Sequence, residues 1–325
     1  MTTKAVIRQA RMSDYSAVVD GIGDVYWGRD YLPTKYAEFI QDADFLSFVA
    51  EVDGEVVGFC SGHLVDNRHS VVKRAGRVKE EYQGQGIIIK LTDAIEGEVA
   101  KVGTVKWELM CCVKKNAERF NKSSAGQKGF LQIVHMQTYQ MLLLRNNLPK
   151  VDPSVFRNVH EMTHEDMEQF FQNEVTWNRL IRQGRMCVHY VPLRRVKENI
   201  RHVINHRTKA FMSFGASCVK DASVQAERDV RNATMFSLTT WFPVSFGHAF
   251  NSDFHGSDYT DLESHLQMHM NLLSNAECEK VSWVINMDFA IDSDVTERLR
   301  KSLDVYGIPL TQNPNVLEQI VFQRN

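Results

Sequence analysis

Residues 77–95 read RVKEEYQGQGIIIKLTDAI: the end of a strand, a turn with glycines at 84 and 86, and the start of a helix. Where a helix begins, several backbone N–H groups lack a helical partner, and the dipole adds partial positive charge. Glycines let such a backbone wrap a phosphate without a Cβ in the way. The junction therefore suits a pyrophosphate. It is neither the GxGxxG of a dinucleotide fold nor the GxxxxGK of a P-loop. Downstream, Ile88, Leu91, Ile95 and Val99 recur at helical spacing and predict one buried face.

Working outward, Ala5 to Gln9 reads as a strand. A helix follows, with Ser13 or Asp14 as its cap. DYLPTKYAEFIQ (residues 30–41) reads as a Pro-broken loop and a second helix. FLSFVAEVDGEVVGFCSGHLV (45–65) reads as two strands joined at Asp53-Gly54, a pair suited to a tight hairpin turn. Beyond Gly103, VKWELMCCV alternates as a strand, with Val105, Trp107, Leu109 and Cys111 on one side. NAERFNK (116–122) reads as a short helix and GFLQIVHMQTY (129–139) as a strand. The order β-α-α-β-β-β-α-β-α-β embeds one βαβ unit in an otherwise antiparallel sheet, a mixed α/β class.

That order, with the turn at Gln83, Gly84, Gln85, Gly86 and Ile87, resembles the GNAT acetyltransferases. Their acyl-CoA loop has the form Q/R-x-x-G-x-G/A, and here Ile88 stands where Gly or Ala is usual. A narrower resemblance is to the vertebrate histidine N-acetyltransferase group. It rests on DYLPTKY (30–36), on R-V-x-x-x-x-Q-G-x-G (77–86) and on KGFL (128–131). The resemblance implies a GNAT fold and acetyl-CoA as co-substrate. It implies cofactor contacts at Val78, Gln83, Gly84, Gln85, Gly86, Ile87, Ile88 and Asn116. It places Tyr31, Cys60 and Arg74 at the acceptor, and it assigns no catalytic residue. Cys60 and Arg74 stand where that group carries carboxylates, and Phe120 where a tyrosine could protonate the leaving thiolate. A cation at 74 would favour an acceptor with a carboxylate.

NNLPKVDPSVF (146–156) marks a boundary by its two prolines, dividing the chain into residues 1–148 and 149–325. The second part repeats the element order without visible residue identity, as a second GNAT-like module in tandem. Thr163 with Asp166, and Thr260 with Glu263, read as capping boxes. Pro192 is read as starting a helix through RRVKENIRHVINH (194–206). PVSFGHAFNSDFHGSDYTD (243–261) reads as a long loop that lacks the phosphate turn and carries Asp253, Asp258 and Asp261. The second module is therefore expected to have lost CoA binding. His265 with His269, and His202 with His206, have metal-ligand spacing, but no further ligand motif completes either pair, so no metal is expected.

The chain has 325 residues, 43% hydrophobic, with 38 Lys and Arg against 40 Asp and Glu. The six cysteines show no CxxC spacing, no basic run suggests nucleic acid, and no stretch reaches membrane-spanning length. A reduced, soluble, cytoplasmic protein is expected. The expected function is N-acetylation of a small amine, a free amino acid by the resemblance. The alternatives are an acyl-CoA-binding protein without turnover and a protein or peptide N-acetyltransferase.

Overall fold

A computed structural model describes residues 4–123, 129–150, 158–215, 229–256, 259–288, 293–310 and 318–325. Lys128, Cys218, Ser257, Asp258 and residues 151–157 of the Pro-containing boundary lie outside them. The first half runs β1 (Val6–Gln9), α1 (Leu32–Gln41), β2 (Phe45–Val52), β3 (Glu55–Val65), β4 (Ser70–Val78), α2 (Ile87–Val102), β5 (Trp107–Val113), α3 (Lys114–Lys122) and β6 (Leu131–Leu144). The second runs β7 (Val159–Glu161), α4 (His164–Gln172), α5 (Glu174–Leu180), β8 (Met186–Val188), β9 (Val191–Leu193), α6 (Ile200–Val203), β10 (Thr208–Phe214) and β11 (Ala233–Val244). It ends with β12 (Gly247–Gly256), α7 (Leu262–Ser274), β13 (Lys280–Asp288), α8 (Ser293–Asp304) and β14 (Glu318–Arg324).

Twelve of these strands form one mixed sheet in the order β1-β2-β3-β4-β5-β14-β6-β13-β12-β11-β10-β7. The two halves of the chain thus share one sheet. The last strand in sequence, β14, lies between β5 and β6 and is antiparallel to both. The long β6 pairs with β14 through its first residues and with β13 through its last. Each half therefore contains a strand hydrogen-bonded into the other.

The Asp53-Gly54 turn forms as expected, both residues having positive φ, and the Thr163–Asp166 box caps α4. Helix α2 buries Ile87, Leu91 and Ile95 against β2–β4. The buried face begins at Ile87, and Ile88 is 41% exposed. Helix α2 packs so closely that a Cβ on Gly62 would stand 2.6 Å from Ile95. On the opposite face, Leu32, Tyr36 and Phe39 of α1 pack with Val49 and Phe59, and with Phe242 and Ala249 of the second half.

Three expectations are corrected. Residues 247–256 form β12, paired along its length with β11 and β13, because partners on both sides outweigh a loop-like composition. Pro192 lies in the β8–β9 hairpin, where its carbonyl is used and no N–H is needed. Before α7, Asp261 is the cap residue and no side chain caps the turn.

Phe322 of β14 is buried with Ala117 of α3 and Ile320, its ring 5.2 Å from Phe120. Phe322→Ala is expected to lower the unfolding free energy by about 3–5 kcal/mol in a urea titration, since the cavity opens beneath α3.

Candidate functional site

Strand β4 is parallel to β5 but pairs with it only over Ser70–Lys73 and Trp107–Met110. The cause lies in β4. Against β3, Ser61 pairs with Arg74 and Phe59 with Arg77, so β4 carries one extra residue. Ala75 there has φ +54. Such a bulge bends the strand that carries it, and residues 74–78 leave residues 111–113 across an open wedge. In the second half, the equivalent parallel pair stays together from Gly247–Lys280 to Phe254–Met287. No wedge opens there.

The wedge edges are unpaired backbone. Lys79 N–H donates to Val57 O at 2.9 Å, so by alternation the Val78 N–H points the other way, into the wedge. The Val78 carbonyl accepts from the Gln83 side chain at 3.1 Å. Because β4 and β5 are parallel, the turn after β4 and the start of α3 after β5 lie at the same end of the wedge. Gly84 and Gly86 have φ +77 and +76, and a Cβ on either would meet no atom within 4 Å. The Ile89 and Lys90 N–H groups bond Gly86 O, and no side chain caps the N–H groups ahead of them, as phosphate binding requires. Gln83, Gln85 and Ile88 are exposed around this turn, Ile87 is buried beneath it, and Asn116 is exposed on the first turn of α3. Ile88 leans toward Gly76, where a Cβ would come within 3.2 Å of it.

On the α1 face, the DYLPTKY segment is fixed to β4 by a buried ion pair. Arg77 donates to Asp30 Oδ2 at 2.5 Å and Oδ1 at 3.0 Å, and Asp30 accepts the Leu32 N–H at 3.0 Å. The Tyr31 ring is thereby held beneath Arg74, whose guanidinium stands 5.2 Å from its centroid. Arg74 Nη2 donates to the His189 carbonyl at 3.1 Å. His189 meets Tyr31 edge-on at 5.0 Å and Phe242 at 4.7 Å. The tip of the β11–β12 hairpin closes this side, with Thr34 donating to Pro243 O (3.0 Å) and Ser245 to Gly28 O (3.2 Å).

Tyr31 and Arg74 are thus brought together. Cys60 is not with them. Strand alternation turns its thiol to the α2 face, among Leu64, Val71 and Ile87. It lies behind Gly76, where a Cβ would stand 3.6 Å from its sulfur. Phe120 packs between Phe130 and Phe322 in an aromatic cluster, which leaves no hydroxyl at that position. Cys111 is half-buried, and desolvation raises its thiol well above its ordinary value. His265 and His269 share Ser237 Oγ at 2.7 and 2.8 Å in the core of the second half.

Several residues here carried no clear sequence signal. Lys35, Tyr26 and Tyr190 each remain partly accessible, yet burial lowers Lys35 to about 8 and raises both phenols. Each also acts electrostatically on Tyr31 or Arg74, which groups the three with them on the α1 face. His189 and Tyr190 form the β8–β9 turn with φ +46 and +64, a conformation costly for such residues. They carry no glycine to announce the turn.

Asp253 on β12 is fully buried. Its Oδ1 accepts from Asn286 at 2.9 Å, and Oδ2 has no partner among the described residues. Burial raises its carboxyl to about 7, against hydrogen bonds from Asn286 and the His189 N–H. The folded chain thus holds this proton more tightly than the unfolded chain, and the contribution to stability is lost as pH rises from about 4 to about 7. Asp253→Asn is expected to match the wild type at pH 4 and to exceed it at pH 8 by up to about 4 kcal/mol. Urea unfolding at the two pH values measures the difference.

Comparison with known proteins follows the same geometry. Residues 7–121 match the Acetyltransferase (GNAT) family. Histidine N-acetyltransferases of Scomber australasicus and Oreochromis niloticus are each 28% identical over 78 residues, 24% of this chain and 23% of theirs. The chain therefore aligns with under a quarter of the length of these relatives. The solved GCN5-related N-acetyltransferase from Sphaerobacter thermophilus superposes with a TM-score of 0.55 at 10% identity, covering 98% of this chain and 95% of its own. That likeness extends the fold assignment across both halves. No helix among the described residues is long and apolar enough to cross a membrane. The resemblance to the GNAT acetyltransferase family thus lies in residues 7–121, and the likeness of fold extends over both halves.

Proposed function

We propose that the chain is an acetyl-CoA-dependent N-acetyltransferase acting on the amine of a small molecule, a free amino acid. The observation that carries this reading is the wedge between β4 and β5. One strand, β4, serves both substrates, with the glycine turn at its end and Arg74 projecting to the opposite, enclosed face.

In this reading Gly84, Gly86 and the first turn of α2 hold the pyrophosphate, flanked by Gln83, Gln85, Ile87, Ile88 and Asn116. The open edges of β4 and β5 receive the extended arm of the cofactor. The Val78 N–H donates to the oxygen of the thioester carbonyl as charge develops, an interaction worth about 3–4 kcal/mol of barrier. Holding the two reactants in register supplies roughly 7–11 kcal/mol more. Arg74 and Tyr31 orient the acceptor from the α1 face, and the neutral amine attacks directly. The Cys60 thiol, facing α2, belongs with the cofactor side.

We assign residues 1–148 to the catalytic module and 149–325 to a degenerate one. The unbroken pairing of β12 with β13 supports the loss of CoA binding in the second. The cover that Phe242, Ser245 and His189 give the acceptor cleft favours a small acceptor over a peptide. A second reading, acyl-CoA binding without turnover, is favoured by Phe120, which can protonate nothing. A missing general acid removes about 10²–10⁴-fold, and the remaining terms are the larger ones.

Free thiol release from acetyl-CoA is expected with one or more amino acids. It should be lost in Gly84→Asp and Gly86→Asp, which add about 1 kcal/mol of strain each and place a carboxylate where the phosphate sits. A shift of the wild-type Tm by acetyl-CoA with no release from any amine would overturn catalysis and leave the binding protein.

A further inference from the structure

Among the described residues, most buried and half-buried cations elsewhere are paired, although Arg145 rests only on Ala276 O and Asn146. Arg77 meets Asp30, Arg185 meets Asp66, and Lys73 meets Glu96 and Glu108. The acceptor cleft breaks that pattern. Arg74, 8% exposed, rests on Tyr31 and the His189 carbonyl. Lys35 lies one helical turn beyond Tyr31, its N–H bonded to the Tyr31 carbonyl at 3.1 Å. Arg29 is two residues before Tyr31 and acts electrostatically on Tyr190. Among the described residues, none of these three cations has a carboxylate within ion-pair distance.

The surroundings report the same field. Burial, with Arg74 and Lys35 among the further causes, holds His63 and His189 well below the ordinary imidazole range. His202 falls to about 4 by burial, then Arg201 and Arg74. Lys35 itself is lowered to about 8, by burial and then by Arg74, against the weaker opposing pull of Glu38 on the same helix. The acid that acts on Arg29, Asp24, accepts the N–H groups of Tyr26 and Gly28. Asp253 is wholly buried on Asn286 and the His189 N–H.

We infer that the acceptor is an α-amino acid carrying a second anionic group, of the chemistry of aspartate, glutamate or a phosphorylated side chain. The inference rests on the reading that this site acetylates a free amino acid. An α-carboxylate satisfies one of the three cations and leaves the others uncompensated. Desolvated cations without counter-ions are costly, and a substrate that supplies the charge recovers that cost. The same field lowers the pKa of an α-ammonium, favouring the neutral amine that attacks, and it repels imidazolium or guanidinium side chains.

The test is thiol release with aspartate, glutamate and O-phosphoserine against their uncharged partners asparagine, glutamine and serine, with histidine included. At least one anionic acceptor is expected to exceed its neutral partner in kcat/KM by about tenfold or more. The preferred anion separates carboxylate from phosphate. Lys35→Met should bring that ratio to within about threefold, whereas Lys35→Arg keeps the charge and should keep the ratio. The Tm of each variant, with and without acetyl-CoA, separates misfolding from lost preference. Neutral amino acids or histidine turned over as well as the acids would overturn this inference alone. No release with any amino acid would overturn the amino-acid reading and this inference with it.

Discussion

The parting of β4 from β5 is the constraint on which the site depends. Four residues of each strand are paired, and then one extra residue at Ala75 turns β4 aside. That single bulge exposes two rows of backbone donors and acceptors that a regular sheet would have consumed. It also sets the β4 side chains so that Arg74 points to α1 while Gly76 lies beneath Ile88 on the α2 side. The second half repeats the fold without the bulge, and its corresponding strands stay closed.

Two buried ion pairs hold the parts around this opening. Arg77 with Asp30 sets the loop that bears Tyr31. Asp66, in the turn between β3 and β4, accepts from Arg185, the Arg194 N–H and Asn199, all from the second half. Arg185 also donates to Gln323 of β14. Buried pairs of this kind contribute little net stability, because desolvation offsets their attraction, but losing one partner strands a charge. Their effect here is to specify how the halves dock, and so where His189 and Tyr190 stand relative to Arg74.

How much of this was legible in the residues depended on whether local chemistry or long-range partners decided each element. The turn at Gly84 and Gly86, the Asp53-Gly54 hairpin and the Thr163–Asp166 cap are local, and each is visible in a few letters. The three isoleucines at 87–89 blurred the start of the buried face, since each is apolar and only Ile87 points inward. Strand β12 was hidden by its Gly, Ser and Asp content, because its pairing comes from β11 and from β13, with α7 intervening in sequence. Cys60 and Arg74 were grouped by resemblance, yet strand alternation sends them to opposite faces. His189 and Tyr190 could not be read from local rules at all, because their backbone conformation is imposed by the contacts they make. That Lys35 has no carboxylate within ion-pair distance among the described residues is likewise set by long-range packing.

The placement of β14 bears on how the chain comes off the ribosome. Lys114 and Glu318, bonded across the β14 junction, are 204 residues apart in sequence. At 5–20 residues per second, roughly 10–40 s separate their synthesis. Throughout that interval the facing edges of β5 and β6 have no strand between them, and such edges are templates for pairing with other chains. The first half, although made first, is completed last. Those edges stay open until β14 is made, and the sheet closes as one late, long-range event rather than module by module.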